Sequence, residues 1–435
     1  MRRYVLMMAM MVFLGTEILA LSTPVGQLTL YRLMALGCWP ILLYSTIIDS
    51  RQIKIDVNNP AWLHPLVYLI WLIWGLFSGL WAGSFKHWVQ ASFLLLVGVS
   101  SVWALVLWIE NRFDWNKLAR SIWWMMTGLL LWGLFEVFTN TYLLADLSKL
   151  DPYNQFALGW TRRIPVTIFT NQNDYATMLI AYISLTVVRC IQTKQPWWKV
   201  LYLVYLLLTG LLIFLTDSRM ILLSTLLYFI ILWLLEYRID YSAKQIIKLA
   251  VLAGFILAGV IIITPSFREK VMHLIHIVGP SMNTGDSRRM NLWRNGLVLF
   301  SQSLGLGVGA GNIEYQMQMQ PFLPVDGFTN IHNWWLEILV SYGAITFVFY
   351  VFSYGMMLRQ LFELRNWQPV RRRQITNVFI AFLIVYIFAS ITSANNIKIE
   401  WHWVYFGLII SYLRIEYQHY RNEKEGYYEL INHIA

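Results

Sequence analysis

The residues of this chain that are best suited to chemistry lie in its longest polar interruption, approximately residues 265–333. This interruption separates two hydrophobic segments, contains arginines and alternating glycines, and ends at His332 and Asn333. Guanidinium groups bind phosphate through paired, charge-assisted hydrogen bonds, and a histidine can accept a proton near neutral pH. At a membrane surface, this combination indicates chemistry on an anion that is carried by a lipid.

Three arginines of the interruption fall on a predicted amphipathic helix. Its apolar residues share one stripe of a helical repeat, at Met290, Trp293, Leu297 and Phe300. At about 100° per residue, Arg289 lies closest to the stripe, Arg294 lies further round and Arg288 points nearly away. Arg289 is therefore the best candidate to reach inward, and Arg288 and Arg294 are candidates for substrate binding. The alternative is an interfacial helix whose arginines contact lipid phosphates.

Alternating glycines follow this helix, at Gly305, Gly307, Gly309 and Gly311. Glycine lets the backbone approach a ligand closely, and consecutive N–H groups can cradle a phosphate, so Gly307 and Gly309 are predicted to bind substrate. The alternative is a flexible turn that folds the loop back onto the membrane. A dinucleotide-binding motif is excluded because no β-strand pattern precedes the glycines and no βαβ unit surrounds them.

His332 and Asn333 stand at the start of the next hydrophobic span. A histidine at this position titrates near neutrality, so His332 is predicted to be a catalytic general base and Asn333 to bind substrate. The alternative is that both residues cap the start of the helix. A second polar run, Asn171–Asp174, precedes an earlier span and is predicted to cap it, with sugar binding as the alternative.

Two further arginines lie close to or within the predicted membrane. Arg219 occupies a turn so tight that it barely leaves the membrane, and Arg32 lies about one turn inside its span. Charges at this depth are energetically costly and are usually functional or paired. Arg219 and Arg32 are therefore candidate functional residues. The alternative is structural pairing, with Asp217 as the partner of Arg219 and Glu17 as the partner of Arg32.

These residues are positioned by a chain that is largely membrane-embedded. Of its 435 residues, 58% are hydrophobic and 13% are charged, and the mean hydropathy is +0.54, which excludes an ordinary soluble protein. Apolar stretches of about 20 residues recur along the sequence and predict an all-α polytopic membrane protein with about twelve transmembrane helices. The predicted spans are approximately residues 4–20, 28–47, 61–81, 88–109, 121–140, 175–190, 197–215, 220–236, 247–264, 333–357, 375–394 and 401–416.

The predicted spans form one integral membrane domain over residues 1–435, with both termini on the same side. When the termini are cytoplasmic, Lys and Arg are roughly twice as frequent in the inside segments as in the outside segments. Two long loops, about 141–174 and 265–332, then emerge outside, and residues 417–435 form a cytoplasmic tail. The predicted localisation is a multi-pass position in the cell membrane.

Several other classes of protein and site are not indicated. The basic residues behind the net charge of +10 are spread over many loops, which does not favour nucleic-acid binding. Cys38 and Cys190 lie within apolar spans, so neither a disulfide nor a metal site is expected from them. The outer loops contain no Asp-x-Asp pair, His-x-x-x-His helix or cysteine cluster, and no metal or cofactor is predicted. A metal ion usually stabilises a departing pyrophosphate, and in these loops arginines are the residues that could take its place.

Five short motifs resemble, in their order and membrane side, the O-antigen ligase and polysaccharide polymerase superfamily. They are Asn171–Ala176, Thr216–Arg219, Arg289–Trp293, Gly307–Asn312 and Ile331–Trp334. The resemblance extends over roughly residues 28–410. The residue sequence from Asn330 to Glu337 is most similar to that of teichuronic acid polymerases of Gram-positive cell walls. One departure is Leu304, because the family often has proline before the glycines.

The resemblance implies a GT-C-like glycosyltransferase of the bacterial cytoplasmic membrane, with a large extracytoplasmic loop before its tenth helix. It implies inverting, metal-independent transfer of a glycan from an undecaprenyl-pyrophosphate donor on the outer leaflet to a hydroxyl of an acceptor glycan. His332 matches the residue that activates the hydroxyl, and Arg219 and Arg289 match arginines that bind the pyrophosphate. The resemblance thus implies catalytic roles for these three residues and substrate binding for Arg32. Arg32 matches a basic position in the second span.

Two other functions remain open from the sequence. A ligase would use the same chemistry to move finished glycan onto another acceptor. A transporter or flippase would move the same lipid-linked sugar across the bilayer, and it should show inverted repeats around midplane charges. The sequence shows no internal repeat.

Overall fold

The computed structural model describes residues 1–16, 18, 20–23, 26–47, 55–56, 58–144, 163–169, 171–236, 285–325, 327–391 and 397–434; of residues 285–288 and 424–434 it describes the backbone alone. Its helices are α1 Arg2–Met11, α2 Leu30–Ile47, α3 Leu63–Phe77, α4 Phe85–Trp108, α5 Arg112–Thr139, α6 Gln172–Gln192, α7 Pro196–Leu215, α8 Arg219–Glu236, α9 Gly285–Gln302, α10 Asn312–Met319, α11 Trp334–Trp367, α12 Val370–Ala389 and α13 Trp401–Ile434. Its strands are β1 Ala20–Thr23 and β2 Gly26–Thr29, and short 3-10 turns lie at Val12–Leu14, Pro60–Trp62 and Ser78–Leu80.

Nine helical segments of the described chain are long and apolar enough to cross a membrane. They are α2, the segment Pro60–Leu80 around α3, α4 to α8, α11 and α12. This finding confirms a nearly all-α, multi-pass membrane protein. The predicted span 247–264 and parts of both long outer loops lie outside the described residues, so the total of twelve spans stays a prediction.

The first predicted span, residues 4–20, is wrong at its C-terminal end. α1 stops at Met11 and passes into a 3-10 turn, after which Gly15 adopts a φ of 74° that ends the helix. A Cβ on Gly15 would lie 2.9 Å from Ile168 Cβ, so this turn is closely packed. β1 and β2 then pair as an antiparallel hairpin with Ala20 opposite Thr29.

α13 also differs from the prediction, because it continues to Ile434 through the residues predicted as a tail. It is not among the nine candidate spans. Its polar residues Ser411 and Glu416 are only 0% and 5% exposed, which means that this stretch faces protein rather than lipid. A helix enclosed by protein tolerates polar groups that hydrogen-bond to their neighbours, so a span of this kind is less apolar than one that faces lipid.

The core forms where α13 packs along α4. Gly98 of α4 leaves room for the indole of Trp403 of α13, because a Cβ at this position would overlap the ring. The buried rings of Trp71 and Trp334 pack beside Trp403. Trp334 is the first residue of α11, so the aromatic core fixes the start of the helix that follows the predicted catalytic histidine.

The polar run before α6 behaves as the capping interpretation predicts. Asn171 is the N-cap residue, and its side-chain oxygen accepts a hydrogen bond from the N–H of Asn173 at 2.7 Å. Asp174 lies in the first turn of α6 and is buried. The capping prediction for this segment is confirmed.

Candidate active site

His332 immediately precedes the capping residue of α11. Its backbone N–H donates to Asn330 Oδ1 at 2.8 Å, and its φ of 48° lies in the left-handed region. Asn333 is the N-cap, and its Oδ1 accepts hydrogen bonds from the N–H groups of Trp335 at 3.1 Å and Leu336 at 3.2 Å. The side-chain oxygen of Asn333 thus caps the helix, as the alternative interpretation predicts. A role of Asn333 in substrate binding stays a prediction.

Two hydrogen bonds fix the backbone on either side of His332. The N–H of Trp334 donates to the carbonyl of Ser390, just past the end of α12, at 3.1 Å. On the other side, Nε1 of Trp293 in α9 donates to the carbonyl of Ile331 at 3.0 Å. His332 thus lies where α9, the start of α11 and the end of α12 meet.

Arg289 lies on the same side of α9 as Trp293, one turn earlier, because residues four apart share a helical face. Its side chain is partly buried. Since Trp293 bonds to the residue just before His332, this face of α9 is turned toward the histidine. Arg289 thus lies one helical turn from the residue of α9 that bonds to Ile331.

The predicted apolar stripe of α9 is wrong in its orientation. Met290 and Leu297 are 45% and 48% exposed, whereas Leu292, Asn295 and Leu299 are buried. The cause lies in Asn295, whose side chain donates to the carbonyl of Leu323 at 2.9 Å and accepts from its N–H at 2.7 Å. These two hydrogen bonds turn a polar residue inward, which a count of apolar residues cannot anticipate.

The corrected orientation changes the roles of two arginines. Arg294 is exposed and points away from the buried face of α9, so the structure does not support its predicted place in substrate binding. The side chain of Arg288 lies outside the described residues. Arg289 is thus the arginine of α9 that the structure associates with His332.

Arg219 is the first residue of α8, and it lies at the same end of the bundle as His332. α8 packs along α12, and Glu236 at its far end accepts hydrogen bonds from Asn377 at 2.9 Å and Gln374 at 3.3 Å near the start of α12. The two helices therefore run in opposite directions. About 25 Å of α8 separates Arg219 from Glu236, which puts Arg219 level with the end of α12. Its side chain is exposed.

The glycine run forms a packed joint with α11. Both of the N–H groups predicted to bind phosphate already donate hydrogen bonds within the protein. The N–H of Gly307 donates to Ser303 Oγ at 3.0 Å, and the N–H of Gly309 donates to the carbonyl of Ser341 at 3.0 Å. A phosphate cradle requires N–H groups that point at the ligand, and these two N–H groups are bonded within the protein. Substrate binding by Gly307 and Gly309 stays a prediction.

This joint closes a break in α11. Gly343 has a φ of 81° in the middle of the helix, and the N–H of the next residue, Ala344, donates to the carbonyl of Gly305 at 2.9 Å. A Cβ on Gly307 would lie 2.5 Å from the backbone nitrogen of Gly343. The glycines thus allow the backbone of the run to approach that of α11. At the break, backbone groups of α11 that lack helical partners form hydrogen bonds with the glycine run instead.

Arg32 is buried and paired. Its Nε donates to Glu400 Oε1 at 2.5 Å, and its terminal nitrogen donates to the carbonyl of Gln27 in β2. Within the described residues, the acidic partner of Arg32 is Glu400, 368 residues away. Glu17, the alternative partner that the sequence offers, lies outside the described residues. Burial raises the pKa of the Glu400 carboxyl, and the positive charge of Arg32 opposes this rise.

A polar cleft of about 470 Å³ opens beside this pair. Its charged lining side chains are Arg32, Asp174, Lys398 and Glu400. A smaller cavity of about 60 Å³ adjoins the cleft, and the side chain of Asn330 lines both. Because Asn330 also accepts the N–H of His332, it connects the cleft to the histidine. Among the described residues that line the two cavities, none is one of the three predicted catalytic residues.

Three charged residues of this region were not predicted from the sequence: Glu314, Lys398 and Glu400. Nζ of Lys398 lies 3.5 Å from Glu314 Oε2, and Nδ2 of Asn330 donates to Glu314 Oε1 at 3.1 Å. Lys398 and Glu400 could have been noticed as a pair of charges just before the last predicted span, at about the same depth in the membrane as Arg32. Within the described ranges, no group of three or more His, Cys, Asp or Glu side chains is arranged to hold a metal ion.

Known proteins resemble this chain across the candidate site. Residues 204–351 match the model of the O-antigen ligase family, and this segment contains Arg219, Arg289 and His332. Teichuronic acid biosynthesis protein TuaE of Bacillus subtilis (strain 168) is 25% identical over 416 residues, which cover 93% of this chain and 82% of the relative. These matches confirm the resemblance carried by the motifs, and they indicate a glycosyltransferase of the polymerase or ligase type.

Proposed function

We propose that this protein polymerises cell-surface polysaccharide repeat units from an undecaprenyl-pyrophosphate-linked donor on the outer leaflet of the cell membrane. The acceptor is a hydroxyl of a second glycan, the reaction inverts the anomeric centre, and neither a metal ion nor a cofactor takes part. The observation that carries the proposal is the hydrogen bond from Trp293 to Ile331, because it turns the face of α9 that bears Arg289 toward His332.

In the proposed reaction, the acceptor hydroxyl attacks the anomeric carbon of the donor while His332 takes the proton of that hydroxyl. The bond from the anomeric carbon to the pyrophosphate oxygen breaks, and its electron pair leaves with the polyprenyl pyrophosphate. Attack from the face opposite the leaving group inverts the configuration. Arg289 and Arg219 offset the charge on the leaving group, and charge-assisted hydrogen bonds of this kind contribute about 1.5–3 kcal/mol each.

The polar cleft beside His332 is the proposed binding site of the glycan. Its carboxylates and amides can hydrogen-bond sugar hydroxyls, and Asn330 stands between the cleft and the histidine. Arg32 supports this wall as one half of a buried ion pair with Glu400 rather than as an isolated phosphate ligand. Both chain termini are cytoplasmic in this proposal, so the cleft faces the outside.

A ligase is the second candidate function, and the match of residues 204–351 to the O-antigen ligase family favours it as a rival. A ligase uses the same donor and the same chemistry but transfers finished glycan to a different acceptor. The two functions therefore differ in product and not in the arrangement of His332, Arg289 and Arg219.

The test uses the purified full-length protein with a lipid-linked repeat unit as its substrate. A polymerase releases polyprenyl pyrophosphate and converts single units into longer chains, and chelation with EDTA leaves the rate unchanged. Release without chain growth, restored by an added acceptor polymer, would identify a ligase. The enzyme proposal is abandoned if no polyprenyl pyrophosphate is released while the lipid-linked sugar crosses the bilayer, because that result identifies a transporter.

A further inference from the structure

A second polar cavity of about 580 Å³ lies at the end of the bundle opposite His332. It is formed where α5 and α12 begin, where α6 ends, and beside the middle of α13. Six cationic side chains line it: Arg112, Arg120, Arg189, Lys194, Arg371 and Arg372. This group is called the basic cavity below.

The cationic side chains of the basic cavity greatly outnumber its acidic ones. Among the described residues that line it, Glu416 is the only carboxylate. Glu416 accepts two hydrogen bonds from Arg112, at 2.8 and 2.9 Å, and its Oε2 lies 3.4 Å from Arg372. One acidic group is thus shared between two arginines, and the remaining four cations must find other neighbours.

Two of these remaining cations bond to neutral oxygens instead of acids. Nε of Arg371 donates to the carbonyl of Ile191 at 3.0 Å, and Arg189 donates to the side-chain oxygen of Gln192 at 3.1 Å. Nε of Arg189 is itself buried with no hydrogen-bond partner among the described residues. Such bonds hold the guanidinium groups in place without neutralising them.

The helix ends add to this positive potential. α5 begins at Arg112, and Arg371 and Arg372 lie in the first turn of α12. The N-terminus of a helix carries a partial positive charge, so cations placed there are unfavourable unless an anion is near. A cluster that combines arginines with two helix N-termini is therefore suited to a bound anion.

We propose that the basic cavity binds a phosphate-bearing anion, supplied either by the headgroup of an anionic phospholipid or by a soluble phosphate compound. Arginine forks match phosphate oxygens in geometry and charge. Basic pockets between membrane helices are known binding sites for anionic lipid headgroups. The cavity is at the other end of the bundle from the cleft, so this binding is separate from the proposed glycosyl transfer.

The experiment compares ligands on the purified, delipidated protein by thermal unfolding. Its probes are a short-chain phosphatidylglycerol, the phosphatidylcholine of equal chain length, and inorganic phosphate. Arg120→Gln with Lys194→Gln is the test variant, because both side chains are exposed, line the cavity and make no hydrogen bond to the described residues. Arg3→Gln with Lys199→Gln is the matched control, since it removes two exposed cations from the same end outside the cavity.

Phosphatidylglycerol is expected to raise the unfolding temperature more than phosphatidylcholine does, and the test variant is expected to bind it about tenfold or more weakly than the control variant. Stabilisation by inorganic phosphate, lost in the same variant, supports the site and assigns a soluble ligand. Stabilisation by the anionic lipid alone supports the site and assigns a headgroup. Equal responses to both lipids with none to phosphate, or equal losses in both variants, overturn the proposal.

Discussion

His332 and Asn333 are adjacent in the sequence, but the structure distinguishes their roles. The side-chain oxygen of Asn333 is used by two backbone N–H groups at the start of α11. His332 precedes the helix and makes its backbone hydrogen bond to Asn330. The sequence could predict that one of them caps the helix, because Asn is a strong N-cap residue. It could not separate them, because both lie at the same boundary.

Replacement of His332 by Asn is expected to remove the general base while the backbone is kept. Asn tolerates a left-handed φ such as the observed 48°. The rate of polyprenyl pyrophosphate release should fall by about 10²–10⁴-fold with little change in unfolding temperature. His419→Gln, on α13 far from the site, is the control and should keep its activity. Full activity of His332→Asn excludes the proposed base.

Arg289→Lys is expected to be nearly as damaging as Arg289→Ala, because lysine keeps the charge but loses the paired geometry of the guanidinium. Both variants should lower donor turnover on the order of 10³-fold, by analogy with arginines that stabilise departing phosphate. The matched control is Arg294→Lys on the exposed face of the same helix, which should turn over normally. Normal turnover by Arg289→Lys contradicts the assignment.

The ion pair between Arg32 and Glu400 can be tested as a coupled unit. Loss of one partner leaves a buried charge, so Arg32→Gln or Glu400→Gln alone should destabilise the protein by about 3–5 kcal/mol. The double variant should recover much of this loss, since no charge remains unpaired. Thermal unfolding in one detergent measures all three variants. Strictly additive losses show that the two residues are not coupled.

At the scale of elements, sequence patterns predicted most helices and failed where polar contacts decide the outcome. Spans such as α4 and α12 can be recognised from long apolar runs within them. The orientation of α9 depends on the bonds of Asn295 to Leu323, and the glycine run depends on a break in α11 at Gly343. Both are contacts between segments that lie far apart along the chain, so no local spacing reveals them.

Gly307→Ala tests the joint between the glycine run and α11. Its φ of 84° is unfavourable for alanine, and the added Cβ would meet the backbone of Gly343 at 2.5 Å. We expect a loss of stability of about 1–3 kcal/mol from strain, with a further loss from the clash. Gly210→Ala is the control, because a Cβ there meets nothing within 4 Å and alanine favours helices. Equal unfolding temperatures for the two variants contradict this account.

At the scale of the whole molecule, composition was sufficient to predict a multi-pass helical protein. Charge distribution predicted which end faces the cytoplasm, a prediction that remains to be tested. The pairing of Arg32 with Glu400 could not be predicted from the sequence. It joins the second predicted span to the residue just before α13, 368 residues later. A resemblance in five motifs predicted the family that the comparisons then confirmed.

Cysteine labelling tests the proposed orientation. In a background with Cys38→Ala and Cys190→Ala, Lys398→Cys should react with a membrane-impermeant maleimide in intact cells. Lys194→Cys, at the opposite end of the bundle, should react only after permeabilisation. Both positions are exposed, so burial does not confound the comparison. The reverse pattern places the cleft in the cytoplasm and excludes an outer-leaflet donor.

The joint at Gly307 also limits how this protein can be re-engineered. Surface loops usually accept insertions, because their backbones bond mainly to water. Residues 303–311 instead bond to the interrupted helix on one side, and on the other side they contact α4 and the 3-10 turn Ser78–Leu80. One inserted residue would shift every partner at once. Chimaeras that exchange outer segments between relatives should therefore be spliced outside this stretch.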